Sequence, residues 1–287
     1  MNTQTTNMRR VFLGICLFTV GSAAYAQTQN GEWTMSRSEV PGKVHISFES
    51  ARDGEHEFSN SSDWNLSDFQ GLDLATPEKH DVHFTLARDA GRLEAEGFAR
   101  DGQGAGLFTF HANPQYSHDM EALGFPAVTE ERQFAFALHD VSLAYAREMK
   151  GLGIQGLDAN KLLACRIFHV DAAFVNELRA AGVEVTSANR LIAFRIHKVT
   201  PDFIHDLRSA GLNVTDPDKL VAFRIHKVSP DFVKELERLG FARPQPDQLI
   251  ALRIHGVTPE YIEKLRSHGI QNLTLDQLIK LRIHGIE

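Results

Sequence analysis

The tripeptide Arg-Ile-His recurs in this chain, at Arg195–His197, Arg224–His226, Arg253–His255 and Arg282–His284. A histidine that returns beside an arginine suits metal ligation or general acid–base catalysis. Three other histidines, His111, His118 and His139, stand where the sequence changes texture. They are candidates to converge at a junction between two folding units, as a small-ligand, metal or catalytic site. His56 and Glu57 begin like the H-E-x-x-H of zinc peptidases, but the fifth position is Asn60, in a polar stretch that reads as loop, so the motif is absent. The glycine-rich run Asp101–Gly106 (DGQGAG) lacks the Lys-Ser/Thr of a phosphate loop and leads into strand-like residues, which predicts a hairpin.

Spacing turns the Arg-Ile-His element from chemistry towards scaffold. His197, His226, His255 and His284 are 29 residues apart, and the same step backwards lands on Phe168 and then His139. Metal ligands lie within about 2.0–2.1 Å of one ion, whereas equivalent residues of adjacent helical repeats are separated by roughly 8–10 Å. One ion cannot bridge them, and a shared chemical role would tolerate Phe168 poorly. The sequence therefore predicts no catalytic residue, no metal ligand and no cofactor. The histidines are expected in the last turn of a helix, where a donor can satisfy free carbonyls. The arginine column Arg166, Arg195, Arg224, Arg253 and Arg282 is expected to form a partly buried ladder, tied to carbonyls or to acids such as Asp218 and Asp247.

Other columns keep the same period without a gap. Glycine recurs at 124, 153, 182, 211, 240 and 269, and an aliphatic residue at Leu138, Ile167, Ile196, Ile225, Ile254 and Ile283. Each unit reads as two short helices. One begins at a capping column, Thr129, Asp158, Ser187, Asp216, Gln245 and Thr274, and runs to the histidine. The other opens with a hydroxyl and a proline, as in Thr200-Pro201, Ser229-Pro230 and Thr258-Pro259, and ends at the glycine. Asn113-Pro114 starts the earliest copy, so six helix pairs fill residues 113–287 and must stack into an α-solenoid to bury their apolar faces. An alanine column, 135, 164, 193, 222 and 251, becomes Lys280 in the last copy, as expected where no further unit packs. Cys165 falls in a column of Phe194, Phe223, Leu252 and Leu281 and is expected to be a buried hydrophobe.

Residues 27–112 read instead as an antiparallel β-rich domain. Val44–Phe48 and Val82–Leu86 alternate, and Arg92–Ala99 and Leu107–Phe110 follow the same pattern. The Ser/Asp/Leu-rich stretch Asn60–Pro77 is expected to be a long loop or strand crossing. The fold class is thus α+β: an N-terminal antiparallel β domain followed by an α-solenoid of six 29-residue helix pairs, the two docked without a linker.

Residues 1–26 carry a basic start ending at Arg10, an apolar run Val11–Val20 and Ala24-Tyr25-Ala26, which predicts a cleaved secretory signal peptide. A single cysteine then remains, so no disulfide forms within the chain. Loss of Arg9 and Arg10 would move the formal net charge from −7 to −9. That sign argues against nucleic acid or an anionic membrane as partner.

The repeat L-I-A-L-R-I-H-G-V-T-P-E-Y-I (Leu249–Ile262), preceded by R-D-A-G (Arg88–Gly91) and G-Q-G-A-G-L-F-T-F (Gly102–Phe110), resembles a group of poorly characterised exported bacterial proteins. It is also similar to the C-terminal extracytoplasmic region of membrane metallopeptidases of the β-lactam-sensor type. The peptidase's membrane helices and zinc motif are not in this sequence, so the resemblance implies no protease activity. The expected function is that of a periplasmic or secreted, non-enzymatic scaffold binding a protein or peptide of the cell envelope through its solenoid, without a membrane span after signal cleavage. The alternatives are a ligand site at the β–α junction, and an accessory role in envelope sensing, which the resemblance alone suggests.

Overall fold

The computed structural model describes residues 29–52 and 55–286, so the expected signal peptide lies outside the described residues. Among the described residues seven strands come first: β1 Gln29–Arg37, β2 Lys43–Arg52, β3 Glu55–Asn65, β4 Phe69–Gln70, β5 His80–Arg88, β6 Gly91–Arg100 and β7 Gln103–Ala112. They form one antiparallel sheet in the order β3-β2-β1-β7-β6-β5-β4. The two edge strands, β3 and β4, are separated in sequence by only the 3-10 turn Leu66–Asp68. Opposite edges joined so closely force the sheet to curl, and Trp64 at the end of β3 meets Phe69 of β4 at 5.5 Å between ring centroids.

The inner face is aromatic. Trp33, Phe84, Phe69, Trp64, Phe48 and Phe108 touch in series, with centroids 5.0 to 5.9 Å apart. The glycine-rich segment serves this core. Asp101 and Gly102 both have positive φ (50° and 74°) and make the two-residue turn between Arg100 and Gln103. Beyond it, Gly106 of β7 pairs with Gly97 of β6, and a Cβ on Gly97 would come 2.8 Å from the Trp33 ring. The absence of side chains there lets the indole lie against the strands, its Nε1 donating to the carbonyls of Glu96 and Leu107, each at 3.1 Å. The predicted hairpin is present, and its glycines make a seat for a tryptophan.

Two expectations change in this half. Asn60–Asn65 completes strand β3 instead of forming a loop, and His56 and Glu57 lie within that same strand. The segment was illegible because only Trp64 among residues 60–65 is buried, so an edge strand facing solvent with Asn, Ser and Asp gives no apolar alternation. Strand β1 likewise offers only Trp33 and Met35 to the core.

Among the described residues, twelve helices of nine residues follow directly. The odd ones are α1 Pro114–Ala122, α3 Leu143–Gly151, α5 Ala172–Ala180, α7 Pro201–Ser209, α9 Pro230–Arg238 and α11 Pro259–Ser267. The even ones are α2 Glu130–Leu138, α4 Ala159–Ile167, α6 Ala188–Ile196, α8 Pro217–Ile225, α10 Pro246–Ile254 and α12 Leu275–Ile283. All six residues of the predicted capping column stand at N-caps: Thr129, Asp158, Asp216 and Thr274 accept from a backbone N–H of their first turn, as do Asn113, Thr200, Ser229 and Thr258 on the odd helices, whereas Ser187 holds its position without a side-chain cap bond. Odd helices pack on odd and even on even, giving a two-layered stack. Its core is continuous with the sheet's, because α2 lies on β1, β6 and β7 and Phe134 stacks on Phe108 at 5.3 Å. Cys165 is fully buried beside the Phe194 and Phe223 column, and burial pushes its thiol up to about 11. The alanine column is half-buried, whereas Lys280 is exposed.

Candidate functional site: the Arg-Ile-His joint and its isoleucine face

Each even helix ends in the same way. The histidine column, with Phe168 in one slot, occupies the C-cap. The next residue takes a left-handed conformation, and it is glycine in only two copies: Asp140, His169, Lys198, Lys227, Gly256 and Gly285 have φ between 52° and 70°. In the fourth unit, Lys227 N–H donates to the Arg224 carbonyl at 3.3 Å and Val228 N–H to the Phe223 carbonyl at 2.8 Å. That is a Schellman closure with its apolar contact between Val228 and Phe223. The tripeptide is therefore a helix stop, and its three side chains have three different fates.

The arginine is the mortar between units. Its guanidinium lies over the aromatic ring that opens the preceding odd helix: Arg166 over Tyr145 at 5.1 Å, Arg195 over Phe174 at 3.7 Å, Arg224 over Phe203 at 4.0 Å, Arg253 over Phe232 at 4.9 Å and Arg282 over Tyr261 at 4.7 Å. Four of them also donate through Nε to a carbonyl closing the previous even helix, from Arg166 to His139, Arg224 to Lys198, Arg253 to His226 and Arg282 to Gly256, at 2.7 to 3.2 Å. Desolvation lowers the Arg224 pKa, in keeping with a guanidinium half inside the joint. Carboxylates meet this ladder at its first two arginines, where Arg166 reaches Asp140 at 2.8 Å and Arg195 reaches Asp171 at 3.9 Å, and neither is an acid expected from the sequence. Asp218 is instead held by Arg190 and Asp247 by Lys219, at 2.7 and 2.9 Å, in a separate ladder at the helix N-termini. They sit a full helix length from the arginines, so i to i+28 pairing between neighbouring first turns wins.

The histidine does not satisfy the carbonyls, as the sequence had suggested; the arginine of the next unit does. The imidazoles of His197, His226, His255 and His284 have no side-chain hydrogen bond or ion pair among the described residues. The isoleucine is the least expected of the three. Ile167, Ile196, Ile225, Ile254 and Ile283 are between 42% and 57% exposed, while Leu138, beside the sheet, is buried. With partly buried Leu163, Val221, Ile250 and Ile279 of the same helices they make an apolar stripe across five repeats. The equivalent outer positions of the odd layer are polar, among them His205, Lys234 and Glu263.

Two of the three junction histidines have partners, and these differ. His139 is mostly buried and its Nε2 lies 3.4 Å from Asn60 Nδ2, and desolvation lowers its pKa, which favours the neutral ring. His111 is exposed on β7, with Nε2 4.0 Å from the Glu94 carboxylate, and His118 is exposed on α1. Among the described residues no group of three or more His, Cys, Asp or Glu is placed to hold a metal ion. The polar groups of the junction bind one another. Arg88 reaches Asp68 at 2.8 Å and Asp140 at 3.3 Å, while Asp89 accepts from the Leu143 N–H at 2.9 Å.

A second cation ladder, which the Arg-Ile-His pattern does not announce, runs along the odd layer. Arg179, Arg208 and Arg266 donate to the carbonyls of Leu152, Ala181 and Leu239 at 2.7 to 2.8 Å, and Lys150 to that of Leu123. Its signal was available as a basic column at the 29-residue period, broken at Glu237. Comparison of the chain with protein-family models, with curated proteins and with solved structures finds no match. Among the described residues no helix is long and apolar enough to cross a membrane.

Proposed function

We propose that this chain is an exported, non-enzymatic binding protein that presents the isoleucine face of its even helices to a protein partner. The observation that carries the reading is the exposure of Ile167, Ile196, Ile225, Ile254 and Ile283 at one repeated position. A single exposed isoleucine needs no explanation, but five aligned along one layer form the kind of contiguous apolar surface that marks an interaction site. Stacked repeats are suited to that use, because each unit adds the same increment of surface to a rigid face. The Arg-Ile-His residues that first suggested catalysis support the same reading, since the arginine is engaged in joining units and the isoleucine is left outside.

The test is site-specific crosslinking. A benzophenone amino acid in place of Ile225 is expected to trap a discrete partner from envelope extract, and the same group in place of Lys234 on the odd layer is not. Equal labelling at both positions, or none at Ile225, Ile196 and Ile254, would sink the reading.

A further inference from the structure

The stripe has two flanks, and they differ in free charge. On the side of the helix N-termini, the acids Asp218 and Asp247 are already paired with Arg190 and Lys219, and Asp276 accepts from Gln248. On the side of the C-caps stand His169, His197, His226, His255 and His284 with Lys198 and Lys227, and among the described residues none of their side chains has a hydrogen-bond or ion-pair partner. Between the fourth and fifth units this flank opens into a groove of about 570 Å³ where Arg224, Lys227 and Arg253 face Asp202 and Asp206. Three cations thus stand against two carboxylates, and a third carboxylate entering the groove would balance them. Free positive charge beside an apolar stripe stands out on a chain whose net charge is −7.

The lysines stand where their backbone is strained. Lys198 and Lys227 both have φ of 56°, a conformation that glycine adopts without cost and that Gly256 and Gly285 fill in the later copies. A charged side chain retained at a position that favours glycine, and bonded to nothing in its own chain, is accounted for by a contact outside it.

From these observations we propose that the partner presents an amphipathic α-helix with carboxylates along one side, laid across the even helices so that its apolar edge covers the isoleucines and its acids meet Lys198, Lys227 and the histidine row. Spacing supports a helix. Packed helices advance by roughly 8–10 Å per unit, and seven residues of an α-helix span about 10.5 Å. One apolar residue in every seven then meets one isoleucine, and about 28 residues cover the stripe. The chain's net negative charge favours a protein segment over an anionic bilayer, which would be repelled by the rest of the surface.

This rests on the stripe being a binding face, and the experiment separates the two claims. Two synthetic peptides of about 28 residues, each with leucine at every seventh position, would carry either glutamate or lysine along one flank. Their binding to the full chain is measured by fluorescence anisotropy, beside vesicles of phosphatidylglycerol. The glutamate peptide is expected to bind at least about tenfold more tightly than the lysine peptide, with an affinity that falls as salt is raised. Paired substitution of Ile225→Ser and Ile254→Ser should weaken it by about tenfold with an unchanged melt, and Lys198→Gln with Lys227→Gln should remove the glutamate peptide's advantage. Equal binding of the two peptides, or preference for the vesicles, overturns the acidic-helix partner. If neither peptide binds while Ile225 still crosslinks in extract, this inference falls and the binding face survives; if the crosslink fails as well, both fall.

Discussion

The Arg224 guanidinium lies over the Phe203 ring at 4.0 Å, and its Nε donates to the Lys198 carbonyl at 2.7 Å. One side chain of the fourth repeat therefore covers the opening of the odd helix before it and closes the end of the even helix before that. Removing it loses a partly desolvated cation–π contact and leaves a carbonyl open. Arg224→Ala is expected to cost about 1.5–3 kcal/mol. Arg224→Lys should recover less than half, because an ammonium cannot stack and donate with the same fork. His226→Ala, two residues on, should stay within about 0.5 kcal/mol. Urea unfolding of the three variants checks the ranking, and a histidine as costly as the arginine would contradict the division of roles.

Phe223 and Ile225 are two residues apart, so they lie about 200° apart around a helix with 3.6 residues per turn. Phe223 is fully buried and Ile225 is half exposed. Phe223→Ala is expected to destabilise by about 3–5 kcal/mol through the cavity it leaves. Ile196→Ser, Ile225→Ser and Ile254→Ser together should move stability by less than about 1.5 kcal/mol, while raising solubility. A large loss of stability in the triple variant would mean the stripe is internal packing.

Much of this architecture was legible in the sequence, for a physical reason. Helix starts and stops are local, so Thr200-Pro201 or Asp216 could be read from their own side chains, and period 29 aligned whatever was ambiguous in one copy. The isoleucine column was visible too, but a repeated aliphatic residue states only that something constant is required. Its exposure follows from the angle between Phe223 and Ile225, which the sequence contains. The arginine–aromatic stacking could not be read, because it joins positions 21 residues apart across two helices, and no local rule sets that distance. In the β domain the edge strand β3 stayed hidden for the opposite reason: of residues 59–65 only Trp64 is buried, and nothing repeats.

His139 gives stability a pH dependence whose sign is fixed. Burial holds its folded pKa below that of a free histidine, and its Nε2 lies 3.4 Å from Asn60 Nδ2. Below about pH 6.5, the ordinary value, the unfolded chain takes up a proton that the folded chain resists. The stability due to the neutral ring is complete above that pH and is lost as pH falls towards the folded pKa. Thermal melts of the native chain and of His139→Gln from pH 7.5 to 5 should diverge on the acid side, the variant keeping more of its Tm. Parallel profiles would show that the ring is not held neutral.

Lys198 and Lys227 set stability against binding. Each sits at φ 56°, where an L-residue costs about 1–2 kcal/mol and glycine pays part of that back as lost entropy. Lys198→Gly and Lys227→Gly should each stabilise the chain by roughly 0.5–1 kcal/mol, while Gly256→Ala, at φ 68°, should cost about 1 kcal/mol. If the lysines are kept for a partner, the two stabilised variants must bind the glutamate-flanked helix more weakly than the native chain. A glycine variant that gained stability and lost no affinity would leave the strained lysines without a reason, and would contradict their contact with the partner's carboxylates.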